Sequence, residues 1–260
     1  KKLANVCLSS RKDFRDAVVS ARGAVSGWSG RAAFNRSQIL YRIAEMLEGR
    51  KAQFVDELMK QDATKVQAEK EVSLCIDRLI YYSGWCDKFQ QLYSTVNPVA
   101  SSHFNFSAPE PTGVVSIIAP QNNSLIGLVS VIAPIIAGGN TCVVLASASK
   151  PLCAVTFAEV LGTSDVPGGT INILTGKPGE LLSWFSDHMD VNAIVFCEND
   201  KEAILKIQQK ATLNLKRVLL WNNYNWLLET AQNPYLINDA QEIKTTWHPI
   251  ENIGGAKAGY

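Results

Sequence analysis

Five short β-rich runs alternate with segments of helical length between residues 113 and 221. No other feature constrains the fold as much. The runs are GVVSIIAP (113–120), TCVVLAS (141–147), INILTG (171–176), NAIVFC (192–197) and RVLLW (217–221). Segments 125–137, 151–162, 178–188 and 200–213 lie between them. Strands with near-continuous apolar character leave neither face for water, so helices must cover both. Right-handed crossovers then predict an α/β doubly wound parallel sheet, with any ligand crevice at the carboxyl ends of the strands.

The residues before this core read as a helical layer over 1–95. In SQILYRIAEMLEGRKAQFVDELMKQ the apolar residues Ile39, Leu40, Ile43, Met46, Leu47, Phe54, Val55, Leu58 and Met59 recur at helical period, with Gly49 near the middle as the candidate interruption. An earlier helix starts at Ser10, carries Phe14, Val18 and Ala21, and ends near Gly27. A later one carries Val72, Ile76, Leu79, Ile80 and Trp85. HFNFSAPEP alternates and lies among prolines, which suits an extended arm over 96–111. Segment 222–241 is polar and turn-rich, with Trp226, Leu227 and Leu228 as an apolar anchor. EIKTTWHP (242–249) alternates again as a strand, and the Gly-rich 250–260 reads as a flexible tail.

Composition removes several function classes. The net charge is +1, which gives no electrostatic footprint for nucleic acid. The longest apolar stretch, Leu125–Ala137, is interrupted by Gly127, Ser130 and Pro134 and is too short to span a bilayer. Cys7, Cys75, Cys86, Cys142, Cys153 and Cys197 form no C-x-x-C pair and read as reduced thiols of a cytoplasmic protein. The sequons at Asn35, Asn105 and Asn122 then carry no weight. His103, His188 and His248 lack metal-ligand spacing, so no metal is expected. Asp187-His188 is a tempting pair that the sequence does not build into a nucleophile triad. Tyr81, Tyr82 and Trp85 read as core. Gly169 and Gly176-Lys177 fail as a phosphate loop in spacing, and Pro178 stands where a hydroxyl is needed. No signal peptide is visible in the sequence, and without an initial Met it is expected to be a piece of a longer chain.

The order of these segments resembles the aldehyde dehydrogenase superfamily across residues 10–221. The carriers in the helical half are AVVSARGAVSGWS (17–29), RSQILYRIAEMLEGRKAQFVDEL (36–58) and LIYYSGWCDK (79–88). In the sheet they are EPTGVVSIIAPQNNSLIGL (110–128), APIIAGGNTCVVLASAS (133–149), DVPGGTINILTG (165–176), DVNAIVFCEND (190–200) and LKRVLLW (215–221). The resemblance implies a Rossmann-like core over 112–221. It also implies an oligomerisation arm built from 96–111 with 242–249, and a catalytic domain that is largely absent here.

Carried over position by position, the resemblance implies a dismantled site. The family's P-W-N-F-P-L appears as Pro120-Gln121-Asn122-Asn123-Ser124-Leu125, so Asn122 stands where the family keeps its oxyanion-stabilising amide. The adopted reading of Asn122 is structural, a cap on the following helix. V-V-K-P-S-E appears as Val143 to Ala148, so Leu145 and Ala148 replace the Lys and Glu that hold the adenosine ribose, beside Ser147. Ribose hydroxyls left unpaired there would cost about 1–3 kcal/mol each. F-T-G-S-T-E-V-G appears as Phe196 to Ala203, where Glu198, Asp200 and Glu202 surround Asn199 at a place meant for a pyrophosphate. Lys201 compensates in part. L-E-L-G-G appears as Leu220 to Tyr224, with Trp221 in the general-base position. No Cys follows Trp221, so the family nucleophile is missing from the sequence.

These substitutions point to a pseudoenzyme without a cofactor, most similar to the degenerate second module of family 16 of the superfamily. Its expected role is oligomerisation, scaffolding or partner binding. The expected contact is a homodimer through the arm and the 242–249 strand, or a preceding aldehyde dehydrogenase module, with any other protein partner unidentified. One alternative is a nucleotide or small-molecule sensor using Asn122, Ser147 and Asn199. The other is an active NAD-dependent enzyme whose catalytic half lies outside this chain.

Overall fold

The computed structural model describes residues 3–250; segment 251–260, most of the expected tail, lies outside them. The helical layer comprises α1 (Arg11–Ser29), α2 (Ala33–Gly49), α3 (Lys51–Lys60), α4 (Lys65–Trp85) and the short α5 (Phe89–Tyr93). The long stripe of 36–58 breaks just after Gly49, where Arg50 leaves helical geometry (φ −107°, ψ 14°). Helix α1 runs past the expected stop at Gly27. Its last turn is held by Trp28, which is buried and donates its indole N–H to Ile136 O at 3.0 Å. Burying a large ring with its donor satisfied outweighs the cost of Gly27 in the helix. Thr64 opens α4 through a capping box with Gln67.

The core sheet is wholly parallel. Its strands are β3 (Val114–Ile118), β4 (Thr141–Leu145), β5 (Ile171–Leu174), β6 (Ala193–Phe196) and β7 (Arg217–Leu220), after β1 (Thr95–Asn97) and β2 (His103–Pro111) of the arm. Spatial order is β5-β4-β3-β6-β7, so the chain reverses direction between β3 and β6. Four helices make the crossovers: α6 (Leu125–Ala137), α7 (Leu152–Gly162), α8 (Pro178–Asp187) and α9 (Lys201–Ala211). Every residue of β3 and of β4 is buried, as continuous apolar runs require. One face packs on α6, α7 and the α2–α4 layer, around Leu40, Phe54, Val72 and Ile132. The other packs on α1 and α8, around Phe14, Val18 and Phe185. The chain thus has an α/β doubly wound core beneath an N-terminal helical layer.

Gly169, the glycine of the rejected phosphate loop, has a structural task. Its φ is +84°, and a Cβ there would lie 2.5 Å from Ser20 O. It closes the turn before β5 where α1 passes overhead.

After β7 the chain crosses back over the helical layer. A 3-10 turn (Glu229–Ala231) and a short helix, α10 (Tyr235–Asp239), interrupt a segment that the sequence marked only as connecting. It ends in β8 (Gln241–Pro249), which pairs antiparallel with β2 over nine residues, from Gln241 opposite Pro111 to Pro249 opposite His103. The arm is therefore a three-stranded sheet of order β1-β2-β8. Among the described residues no helix is long and apolar enough to cross a membrane. No group of His, Cys, Asp and Glu among them could hold a metal ion.

Candidate functional site

The reversal between β3 and β6 sets a crevice at the strands' carboxyl ends. Its rim consists of the loops after β3, β4, β6 and β7. Gln121 lies at the centre. Its backbone N–H donates to Glu198 Oε1 at 2.7 Å, its side-chain oxygen accepts from the Ala148 N–H at 2.8 Å, and its amide donates to Ala119 O at 2.8 Å. The Gln121 carbonyl accepts from both Ser147 Oγ (2.7 Å) and Ser149 Oγ (2.9 Å). One residue thus stitches the β3 loop to the β4 and β6 loops, consuming donors that a ligand would need.

The acidic residues at the start of α9 have separate tasks. Glu198 is committed to Gln121. Asp200 is the N-cap and accepts from the N–H groups of Glu202 (3.0 Å) and Ala203 (3.1 Å). The helix terminus that could receive a phosphate therefore carries its own carboxylate. Asn199 donates to Asn222 O at 3.1 Å and joins the β6 loop to the β7 loop. Leu145 is not on the rim: it is fully buried in the core beside α1 and α8. Ala148 is exposed.

Trp221 is buried, and its indole N–H donates to Asp239 Oδ2 at 3.0 Å. Burial pushes the Asp239 carboxyl up, opposed by that indole N–H and by Arg217. The Asp239 bond could not be read from the sequence, because it joins β7 to a helix that the sequence did not announce.

Asn122 does not cap α6, contrary to the sequence expectation. The N-cap position is Ser124, whose hydroxyl instead donates to Lys150 O at 2.9 Å. The helix N-terminus is served by Glu71 of α4, which accepts from the Ile126 N–H at 3.0 Å. Burial pushes the Glu71 carboxyl up, while the Ile126 N–H, Lys150 and the Leu125 N–H pull it back. A carboxylate from a neighbouring helix replaces the local cap, so Asn122 turns to solvent. It lines a cleft of about 380 Å³ with Gln61, Lys70, Glu71, Asn123 and Lys150.

A second anchor also escaped the sequence reading. Arg78 is almost fully buried in α4, where its guanidinium donates to Ser130 Oγ and, at 3.0 Å each, to the carbonyls of Trp226 and Leu228. Tyr82 donates to Asn233 O at 3.2 Å. Together they fasten segment 222–234 over α4 and α6.

The remaining sequence candidates take structural places. Asp187 pairs with Lys210 at 2.6 Å, and His188 lies edge-on to Phe14, so the two form no catalytic pair. Cys75, Cys86, Cys142, Cys153 and Cys197 are buried and free, whereas Cys7 is exposed. The sequon residue Asn105 is buried in the arm.

A parallel doubly wound core with a crevice at its reversal point is a nucleotide-binding type of architecture. The aldehyde dehydrogenase family pattern matches residues 1–222, and the chain belongs to that family. Aldehyde dehydrogenase, cytosolic 1, of Elephantulus edwardii is 31% identical over 226 residues, 85% of this chain and 44% of that protein. Human cytosolic 10-formyltetrahydrofolate dehydrogenase is 30% identical over 223 residues, 84% of this chain and 25% of that protein. A crystal structure of a putative aldehyde dehydrogenase from Burkholderia cenocepacia superposes with TM-score 0.79 at 26% identity, over 84% of this chain and 44% of that one. The NAD+ complex of the Bacillus cereus aldehyde dehydrogenase, at 23% identity and TM-score 0.78, shares the fold. The chain thus spans less than half the length of these relatives.

Proposed function

We propose that this chain is a non-catalytic aldehyde dehydrogenase-like module, a pseudoenzyme that serves assembly or partner binding in the cytoplasm. The observation that carries the reading is the internal use of the crevice rim. Gln121, Ser147, Glu198 and Asp200 satisfy one another or the backbone, and Trp221 is packed onto Asp239. These residues do not fit NAD. A pyrophosphate would meet the Asp200 and Glu198 carboxylates, and the adenosine side offers Ala148 with its N–H already taken. Trp221 has no basic group with which to accept a proton. The arrangement is most similar to the degenerate second module of family 16.

The arm supplies the contact surface. We read it as the site of homodimerisation, or of docking on a preceding aldehyde dehydrogenase module. A sensor role is the second reading, favoured by the cleft at Asn122, whose side chain makes no hydrogen bond among the described residues.

The test is titration of the chain with NADH to millimolar concentration, following energy transfer from its six tryptophans. No saturable transfer is expected from the folded protein. Saturable transfer would overturn the reading of the rim and support a nucleotide sensor.

A further inference from the structure

The cleft beside Asn122 is lined by charges that the fold does not use. It opens between the end of α3, the first turns of α4 and the start of α6, with Leu58 and Leu227 as its apolar contacts. Its volume of about 380 Å³ is that of a site for a small ligand. Among the described residues, the ammonium groups of Lys70 and Lys150 and the amides of Asn122 and Asn123 make no hydrogen bond or ion pair.

Asp62 stands where local rules favour another residue. It holds the left-handed position after α3, at φ 73°. Its N–H donates to Met59 O at 3.2 Å and the Ala63 N–H donates to Leu58 O at 3.1 Å, which is a Schellman turn. Glycine or asparagine usually fills that position, and a carboxylate there meets the negative end of the helix dipole. The Asp62 side chain has no partner among the described residues, yet it lines the cleft. The fold gains nothing from this charge.

The other carboxylate is accounted for. Glu71 accepts the Ile126 N–H at 3.0 Å, so its charge answers the positive end of α6. Lys150 acts on Glu71 through space but forms no ion pair with it. The main chain of Lys150 is pinned on both sides: its N–H donates to Ser147 Oγ at 3.2 Å, and its carbonyl accepts from Ser124 Oγ at 2.9 Å. The stem is thus positioned while the ammonium group is left unspent. Two cations, one anion and two amides remain available to a ligand.

From this unspent set we propose that the cleft binds a small acidic amino acid. Its two carboxylates meet Lys70 and Lys150, its ammonium group meets Asp62, and the Asn122 and Asn123 amides donate to the carboxylates. A neutral amino acid leaves one lysine unanswered, and a plain dicarboxylate leaves Asp62 unanswered, so the charge pattern selects among ligands of similar size. The proposal rests on the sensor reading of this cleft and names its ligand.

The test is calorimetric titration of the chain with L-glutamate, L-glutamine and glutarate. Saturable one-to-one binding is expected for L-glutamate, and about tenfold weaker binding for each of the others, which lack one charge-assisted contact. Lys70→Met and Lys150→Met keep an unbranched stem, remove the charge, and should each weaken L-glutamate several-fold. Asp62→Asn keeps the left-handed turn, which asparagine adopts readily, and should weaken L-glutamate several-fold while binding glutarate no more weakly than the parent does. Thermal melting checks that each variant is folded. Equal binding of all three ligands by the parent overturns the charge matching and leaves a less selective sensor standing. No saturable heat with any of them, from protein that melts normally, overturns the proposal. The sensor reading then rests on the NADH titration alone, and the non-catalytic reading is untouched.

Discussion

The Glu198 carboxylate sits 2.7 Å from the Gln121 backbone N–H and closes the crevice between β3 and β6 from within. In a nucleotide site the β3 loop and the α9 terminus face each other across a ligand. Here they bond directly. The Gln121 side chain adds the β4 loop through the Ala148 N–H, so three loops form one network.

Glu198→Ala should therefore destabilise the fold. It leaves a half-buried N–H without a protein partner, and about 1–3 kcal/mol is expected from a charge-assisted bond lost in this way. Urea denaturation measures it. Because Asp200 still caps α9, the variant should not gain NADH binding.

Trp221→Phe keeps an aromatic ring in place but removes the donor to Asp239. A loss of about 1–3 kcal/mol is expected. The Asp239 carboxyl already lies above its ordinary 3.8, chiefly through burial. A raised folded value means that stability from this group is present at acid pH and lost as pH rises through that value. Removing the indole N–H raises it further. The difference between variant and parent should thus be larger at pH 7 than below pH 3.8, as read from melting curves across pH.

Arg78→Leu should loosen segment 222–234. The Trp226 carbonyl loses the Arg78 donor, the Leu228 carbonyl keeps only the Ala231 N–H, and Ser130 Oγ keeps only its bond to Ile126 O. A cost of about 2–4 kcal/mol is expected, with no new buried charge left behind. Limited proteolysis should cut within 222–234 in the variant well before it cuts the parent. Equal cutting rates would show that Trp226 packing alone holds the segment.

In native buffer one thiol, Cys7, should react with a chromogenic disulfide reagent, and six should react after unfolding. Burial pushes Cys86, Cys142 and Cys153 up to about 12 from 9.0. Thiols raised in the fold contribute stability that is full below pH 9.0 and is lost as pH climbs towards 12. Substituting Cys142 by Ala should flatten part of that alkaline decline, at the cost of a small cavity.

The parallel core was legible in the sequence because apolar runs of strand length can only be buried on both faces, and helices must then cover them. The arm was legible because 96–111 and 242–249 alternate with period two. Boundaries set by packing were less so: α1 outruns Gly27 because Trp28 reaches Ile136, a residue far away in the chain. The expected cap by Asn122 is replaced by Glu71, which α4 delivers to α6.

The same division holds at the site. By itself the sequence determined which side chains stand at positions 145, 148, 198 and 221, where the family resemblance implies other chemistry, because side-chain chemistry is fixed by identity alone. Only the tertiary structure decided what fills the resulting space. Gln121 bonds across three loops, Asp239 comes from a short helix to meet Trp221, and Arg78 draws the 222–234 segment over the helical layer. Hydrogen bonds between residues far apart in the chain depend on where folding brings their donors and acceptors, and no local pattern encodes those distances.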